Sequence, residues 1–151
     1  MANTTAIATS FKTEMLNGIH ALGVSVVRAV TTADVLKAAL YLATGSQGAG
    51  TTAYSATNEV TGTNYTAGGV TVTNANVPAA TGTTAFWTPS ASFPWTSVTL
   101  LTSFDCVTIY NSTQAGKAIS SHNFGPQTVS GGNFTLTMPV NDATTGLVRF
   151  A

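Results

Sequence analysis

Charge is what this sequence has least of. Only 7% of its 151 residues are Asp, Glu, Lys or Arg, where an ordinary soluble domain carries about 25%. The five basic and five acidic residues cancel, and Lys12, Arg28, Lys37, Lys117 and Arg149 form no cluster. Nucleic-acid binding rests on several phosphate contacts from basic side chains, so no nucleic-acid partner is expected. Cysteine is nearly missing too. Cys106 alone excludes an intramolecular disulfide and argues against a stapled secreted module. It lies in an apolar, β-like run and reads as a small buried hydrophobe. Long apolar runs are also absent. Ala21–Val30 is interrupted by Arg28 and falls far below the roughly 20 residues that span a bilayer. The first ten residues lack the basic start of a signal peptide. No membrane partner is expected, and the chain reads as cytoplasmic when made.

Convergent chemistry is scarce as well. Ser120 or Ser121, His122 and Asp105 supply the residue types of a hydrolase triad. No nucleophile elbow accompanies them, and adjacent strand residues such as Ser121 and His122 point to opposite faces. His20, His122, Glu59, Asp105 and Asp142 lie far apart, with no pair at ligand spacing, so no metal or other cofactor is expected. The glycines at 45, 48, 50, 68 and 69 match no phosphate loop. Asn141-Asp142 after Pro139 reads as turn chemistry. Asn3, Asn64, Asn111 and Asn133 each open an N-x-[ST] triplet, which a threonine-rich chain produces by chance. The expectation is a protein that is not an enzyme.

What the chain has is threonine, roughly one residue in five, on an apolar background of 44%, and threonine favours strands. The length suits one domain with a core of its own. Residues 1–9 form a polar arm that would fray unless pinned, or reach a neighbouring subunit. Residues 10–151 follow as a single β-sandwich domain. Ser10 can cap a short helix over Phe11–Asn17, stopped by Gly18. Phe11 and Met15, with Ile19 as a further candidate, line its apolar side, as core or as a partner-binding stripe. Leu22, Val24 and Val26 alternate like a strand. Asp34–Ala43 fits a helical stripe and a strand alternation equally. Gly45–Thr57 is a long connection and a candidate contact loop.

In Asn58–Thr73, reading NEVTGTNYTAGGVTVT, Gly68-Gly69 supplies a turn and Val70–Thr73 a period of two; this strand runs on to Pro78. Thr81-Gly82 turns into a short strand over Thr83–Thr88. Phe86, Trp87, Phe93 and Trp95 then crowd around Pro89 and Pro94, in a loop or at a sheet edge. They read as core, as a partner contact, or as a sugar-stacking platform. Val98–Tyr110, apolar on both faces, suits a central strand. Lys117–Phe124 returns, Gly125-Pro126 breaks the pattern, and Gly131-Gly132 opens a further strand. There Phe134, Leu136, Met138 and Val140 face one way and Asn133, Thr135 and Thr137 the other, with an end at Pro139. Gly146–Ala151 closes the chain as a last strand. About eight strands with turn signals every 8–12 residues indicate an all-β fold, an antiparallel β-sandwich of jelly-roll or related Greek-key type, behind one short N-terminal helix.

Leu16-Asn17-Gly18-Ile19-His20, Leu36–Tyr41, Glu59-Val60-Thr61-Gly62-Thr63-Asn64-Tyr65-Thr66-Ala67-Gly68-Gly69 and Ile109–Thr113 together carry a likeness. In them, and in the glycine-opened strand pair of Gly131–Ala151, the chain resembles a family of small virion proteins of tailed bacteriophages. The distinctive wording is Y-T-A-G-G preceded by E-V-x-G-x. The resemblance implies a strand over Lys37–Leu42 and marks Ala21–Ala33 as longer than the usual link. It also implies a capsid decoration, or cement, protein: a virion component on the outer surface of the head, assembled in the host cytoplasm. Its partners would be the major capsid protein and further copies of itself, as dimer or trimer. Phe11, Met15, Trp87, Phe93 and Trp95 are the candidate interface residues. The alternatives are another virion part (tail, neck or baseplate subunit) and a carbohydrate-binding sandwich using Trp87 and Trp95.

Overall fold

Asp34–Ala43, which admits two periodicities, resolves as strand. Leu36, Ala38 and Leu40 enter one apolar cluster, and Ala39 and Tyr41 a second one behind the sheet. That two-face division is the period of a β-strand. A computed structural model of the chain describes residues 2–8, 10, 11, 15, 19–23, 33–82 and 84–150. The helix expected over Phe11–Asn17 falls largely on residues outside these, as do Val24 and Val26 and most of the Ala21–Ala33 stretch.

The described residues contain eight strands: β1 (Ala6–Ile7), β2 (Leu36–Leu42), β3 (Val70–Thr71), β4 (Ala79–Thr81), β5 (Thr84–Trp87), β6 (Phe93–Asn111), β7 (Lys117–Leu136) and β8 (Val148–Phe150). They form two antiparallel sheets, ordered β1-β7-β6-β2-β3 and β4-β5-β8. The fold is therefore all-β and sandwich-like. No helix among the described residues is long and apolar enough to cross a membrane.

The β6–β7 hairpin dominates the architecture. β6 lies between β7 and β2, and from Phe104 to Asn111 every one of its residues is buried. Central placement explains why this run is apolar on both faces. Its inner face joins Leu36, Leu40, Trp87, Ile119 and Val148 in the main core. Its outer face, with Cys106 and Tyr110, is covered by the connection that carries Tyr54.

Three expectations change at the glycines and prolines, and the alternatives at Pro94 resolve. Gly125-Pro126 does not end a strand, and Gly131-Gly132 does not begin one; both lie inside β7. Gly125 and Gly131 take positive φ (84° and 63°) where the β6–β7 register slips. They are bulges, and glycine meets the left-handed backbone there without a Cβ penalty. Pro94, expected in a loop or at a sheet edge, takes the edge alternative, within β6 opposite Thr135. β6 pairs with β2 only over Phe104–Asn111. Its first half therefore has one ladder partner, and a missing N–H is tolerated there. The strand expected from Val70 to Pro78 is only two residues long. Beyond it, side chains replace the ladder: Trp87 Nε1 donates to Asn74 Oδ1 (3.0 Å), and Asn76 Nδ2 donates to the Thr88 carbonyl (2.9 Å).

The arm does not stand free of the sheet. β1 pairs with β7 at Ser120 and Ser121. Asn3, ahead of it, is buried against Asp105.

Candidate functional site

The stretch Asn58–Thr73 folds around one side chain. Glu59 is only 6% exposed. Its carboxylate accepts hydrogen bonds from Tyr54 Oη (2.6 Å), Tyr65 Oη (2.9 Å) and the Gly68 amide (2.7 Å). Tyr65 Oη in turn accepts from the Leu40 amide (3.0 Å), tying the loop to β2. Tyr110 donates to the Gly68 carbonyl (2.8 Å) and stacks on Tyr54 at 4.8 Å. Tyr41 donates to the Ser55 carbonyl (2.8 Å). All four tyrosines of the chain thus gather at this cage.

The glycines of the motif follow from close approach. A Cβ on Gly62 would stand 2.1 Å from the Thr99 carbonyl oxygen. One on Gly69, at φ +72°, would stand 1.9 Å from that of Ala38. Burial raises the Tyr41 and Tyr65 phenols above their ordinary value, with the Glu59 charge adding to it. Tyr54 is pushed up to about 12, by burial first and then by its bond to Glu59. With three donors on it and little contact with solvent, this carboxylate acts as a tie between loop and sheet.

The other buried acids have the same duty. Asp105 accepts from Asn3 and from Asn123 (3.0 Å), and Asn3 also donates to the Leu42 carbonyl (2.9 Å). Asp34 accepts from the Ala21 amide (2.9 Å) and from Asn111 Nδ2 (2.7 Å). Asn111 Nδ2 also lies 3.1 Å from His20 Nδ1. The one signal of this in the sequence is the clustering of Glu59, Tyr65 and Gly68 within ten positions.

The residue types of a triad are only partly brought together. His122 Nε2 lies 2.9 Å from Ser120 Oγ, as two residues on one strand face should. Ser120 is fully buried, and Asp105 is occupied by Asn3 and Asn123. A nucleophile that substrate cannot reach performs no acyl transfer. His122 faces a cleft of about 570 Å³ between the β1 and β8 margins, lined also by Thr5, Ile7, Thr84, Thr145 and Arg149. An apolar recess of about 160 Å³ lies behind it, walled by Phe93, Phe124, Leu136, Met138 and Leu147. Burial pushes the His122 pKa down to about 4, so its ring is neutral at neutral pH. Among the described residues no group of three or more His, Cys, Asp or Glu could hold a metal ion.

The candidate interface residues lie mostly inside. Phe11, Trp87, Phe93 and Trp95 are all buried in the main core, and Met15 packs half-buried against it. Trp95 meets Phe134 at 5.7 Å and Phe93 at 6.5 Å. These rings are already enclosed by their own chain. They offer a partner no anchor in this form, and Trp87 and Trp95 make no exposed platform for a sugar. The reason is the same one that placed Pro94 in β6. Phe93 and Trp95 alternate with exposed Pro94 in β6 and turn inward together, while Phe86 and Trp87 are both buried at the end of β5.

The outward-facing features are of another kind. Leu101 is 70% exposed and Val140 69%. β7 has β1 as a neighbour only at Ser120 and Ser121, so beyond Gly125 its outer edge has no partner strand among the described residues. No protein-family model, curated protein or solved structure matches this chain.

Proposed function

We propose that this chain is a structural subunit of a tailed-bacteriophage virion. In this reading it is a decoration protein, bound outside the head shell and bracing neighbouring major capsid subunits. The likeness in Glu59–Gly69 motivates the reading, and one structural observation carries it: the near absence of surface charge. Seven of the ten charged residues lie among those described. Asp34, Glu59 and Asp105 are buried ties, which leaves Lys37, Lys117, Asp142 and Arg149. A surface of Thr, Ser, Asn and Gly with so little charge lets many copies sit side by side without repulsion. It binds through hydrogen bonds and apolar contact, which salt hardly screens. The wrapping of the chain fits the same reading. β5 and β8 flank the β6–β7 hairpin in sequence and pair with each other in the opposite sheet. That is how a jelly roll, or a related Greek key, winds a hairpin into two layers.

The test uses phage shells purified without their decoration protein. The chain should bind them to saturation, with an affinity that barely changes between low and high salt. No binding, or binding abolished by moderate salt, would refute the proposal. Copy number per virion separates head from tail: hundreds of copies mean shell, a dozen or fewer mean tail, neck or baseplate.

A further inference from the structure

We infer that two copies of this chain associate through the outer edge of β7, over Gly132–Leu136, as an antiparallel pair about a two-fold axis near Phe134. The inference deepens the proposed role and rests on it only for the setting in which the copies meet.

The edge is open. β6 pairs with the other side of this segment, at Gly132, Phe134, Thr135 and Leu136. No other described strand reaches it. Alternate N–H and C=O groups therefore point outward, and a strand added there would satisfy them. Gly131, with its positive φ, bends the strand just before the segment, and Pro139 bars its extension beyond. The straight part is therefore short and well bounded. β1 occupies the same edge at Ser120 and Ser121, far along the strand. In an antiparallel pair the two copies of β1 would lie at opposite ends, clear of the axis.

The segment suits a copy of itself. Natural sheets protect free edges with charge or proline, and Gly132–Leu136 has neither. Self-pairing therefore meets no like-charge repulsion. Asn133 and Thr135 are exposed on one face, while Phe134 and Leu136 are half-buried on the other. Antiparallel pairing about Phe134 sets Asn133 against Thr135 of the second copy, and Gly132 against its Leu136. Polar then meets polar on the outer face, and the two half-covered phenylalanines close over each other at the axis. The two five-stranded sheets would become one continuous sheet. Five residues at about 3.4 Å each give a ladder of roughly 17 Å. That is short for an interface, since a stable one clears about 1,000 Å², so the dimer should dissociate on dilution.

Sedimentation velocity across a concentration series tests this, with hydrogen exchange read at low and high protein concentration. The expected result is a reversible monomer–dimer equilibrium, with amide protection rising with concentration within Gly132–Leu136. Thr135→Lys puts a charge on the exposed face beside the axis and should weaken the dimer by about tenfold or more. Its fold is checked by circular dichroism. A monomer at every concentration overturns the inference, as does a dimer whose protection rises elsewhere. Shell binding separates the two ideas. A monomeric wild type that still decorates shells sinks the β7 contact alone. A dimer through β7 that ignores shells supports the contact and sinks the decoration role.

Discussion

Replacing Glu59 with alanine should be among the most damaging single changes outside the hydrophobic core, and the cage geometry allows its cost to be worked out. The substitution strands three donors at once: Tyr54 Oη, Tyr65 Oη and the buried Gly68 amide. Tyr54 lies at the outer side of the cage and can turn to water, so its share is small. The Gly68 amide and the Tyr65 hydroxyl cannot, and a buried donor left unsatisfied costs about 1–3 kcal/mol. Removing the carboxylate also relieves its own desolvation cost, which offsets part of the loss. The net expectation is about 3–4 kcal/mol, a large share of the 5–15 kcal/mol that typically separates folded from unfolded chains. At about 2–4 °C per kcal/mol for a chain near this length, the melting midpoint should fall by about 6–16 °C. Glu59→Gln keeps the shape but turns an NH₂ group toward one donor, and should cost about 1–2 kcal/mol. Urea titration of wild type, Glu59→Ala, Tyr65→Phe and the double variant closes a thermodynamic cycle, with an expected coupling of about 1–2 kcal/mol. If Glu59→Ala loses less than about 1 kcal/mol, or Tyr65→Phe costs the same with and without Glu59, the cage is not what holds the loop to β2.

Three further outcomes rest on the same structure. Gly69→Ala forces a Cβ to within 1.9 Å of the Ala38 carbonyl at φ +72°. It should destabilise clearly more than Gly82→Ala, which also has positive φ but open space and should cost about 1–2 kcal/mol; equal melting shifts would contradict the close-approach argument. His122 is held neutral by burial, with its pKa lowered to about 4. The unfolded chain therefore binds the extra proton first, and stability should fall as pH drops from about 6.5 toward 4. His122→Asn should flatten that part of the pH–stability curve, and an unchanged slope would count against a buried neutral ring. Cys106 is fully buried, and burial pushes its thiol up to about 12. It should resist aromatic disulfide reagents in native buffer and react at once in denaturant, whereas fast stoichiometric labelling of the folded chain would show the second cluster to be open.

Period-two patterning made the sheets legible wherever both faces of a strand had a clear destination. Val98–Tyr110 reads as a central strand and lies within β6, which is central and buried on both faces from Phe104 on. Phe134 and Leu136 alternate with Asn133 and Thr135 as read, while Val140 departs because the strand has already ended at Leu136. Glycine and proline misled in a consistent way. In β7 they mark bulges, because a strand with a free side can absorb an extra residue without losing its other ladder. For Phe86, Trp87, Phe93 and Trp95 the sequence leaves core, partner contact and sugar platform open, and the structure buries all four. The cage around Glu59 leaves only one trace in the sequence, the clustering of Glu59, Tyr65 and Gly68. Its donors come from a loop, and nothing in residue spacing says that a loop will fold back on one of its own carboxylates.

The scarcity of charge and the open edge of β7 bear on each other. A protein that works alone in solution usually relies on net charge to stay apart from its neighbours and on charged or proline-bearing edges to stop sheets from adding to one another. Here three of the described acids are spent inside the fold, the remaining charges are few, and β7 past Gly131 offers an uncharged ladder. In a free monomer those properties together would favour uncontrolled association. The bulge at Gly131 and the stop at Pro139 restrict the exposed ladder to a few residues, enough for one bounded contact and too short for an extended fibre. In the proposed role, a fold that lowers its barriers to self-contact while limiting the length of each contact would suit life among fixed neighbours, where a lattice, and not the repulsion of like charges, determines how many copies meet.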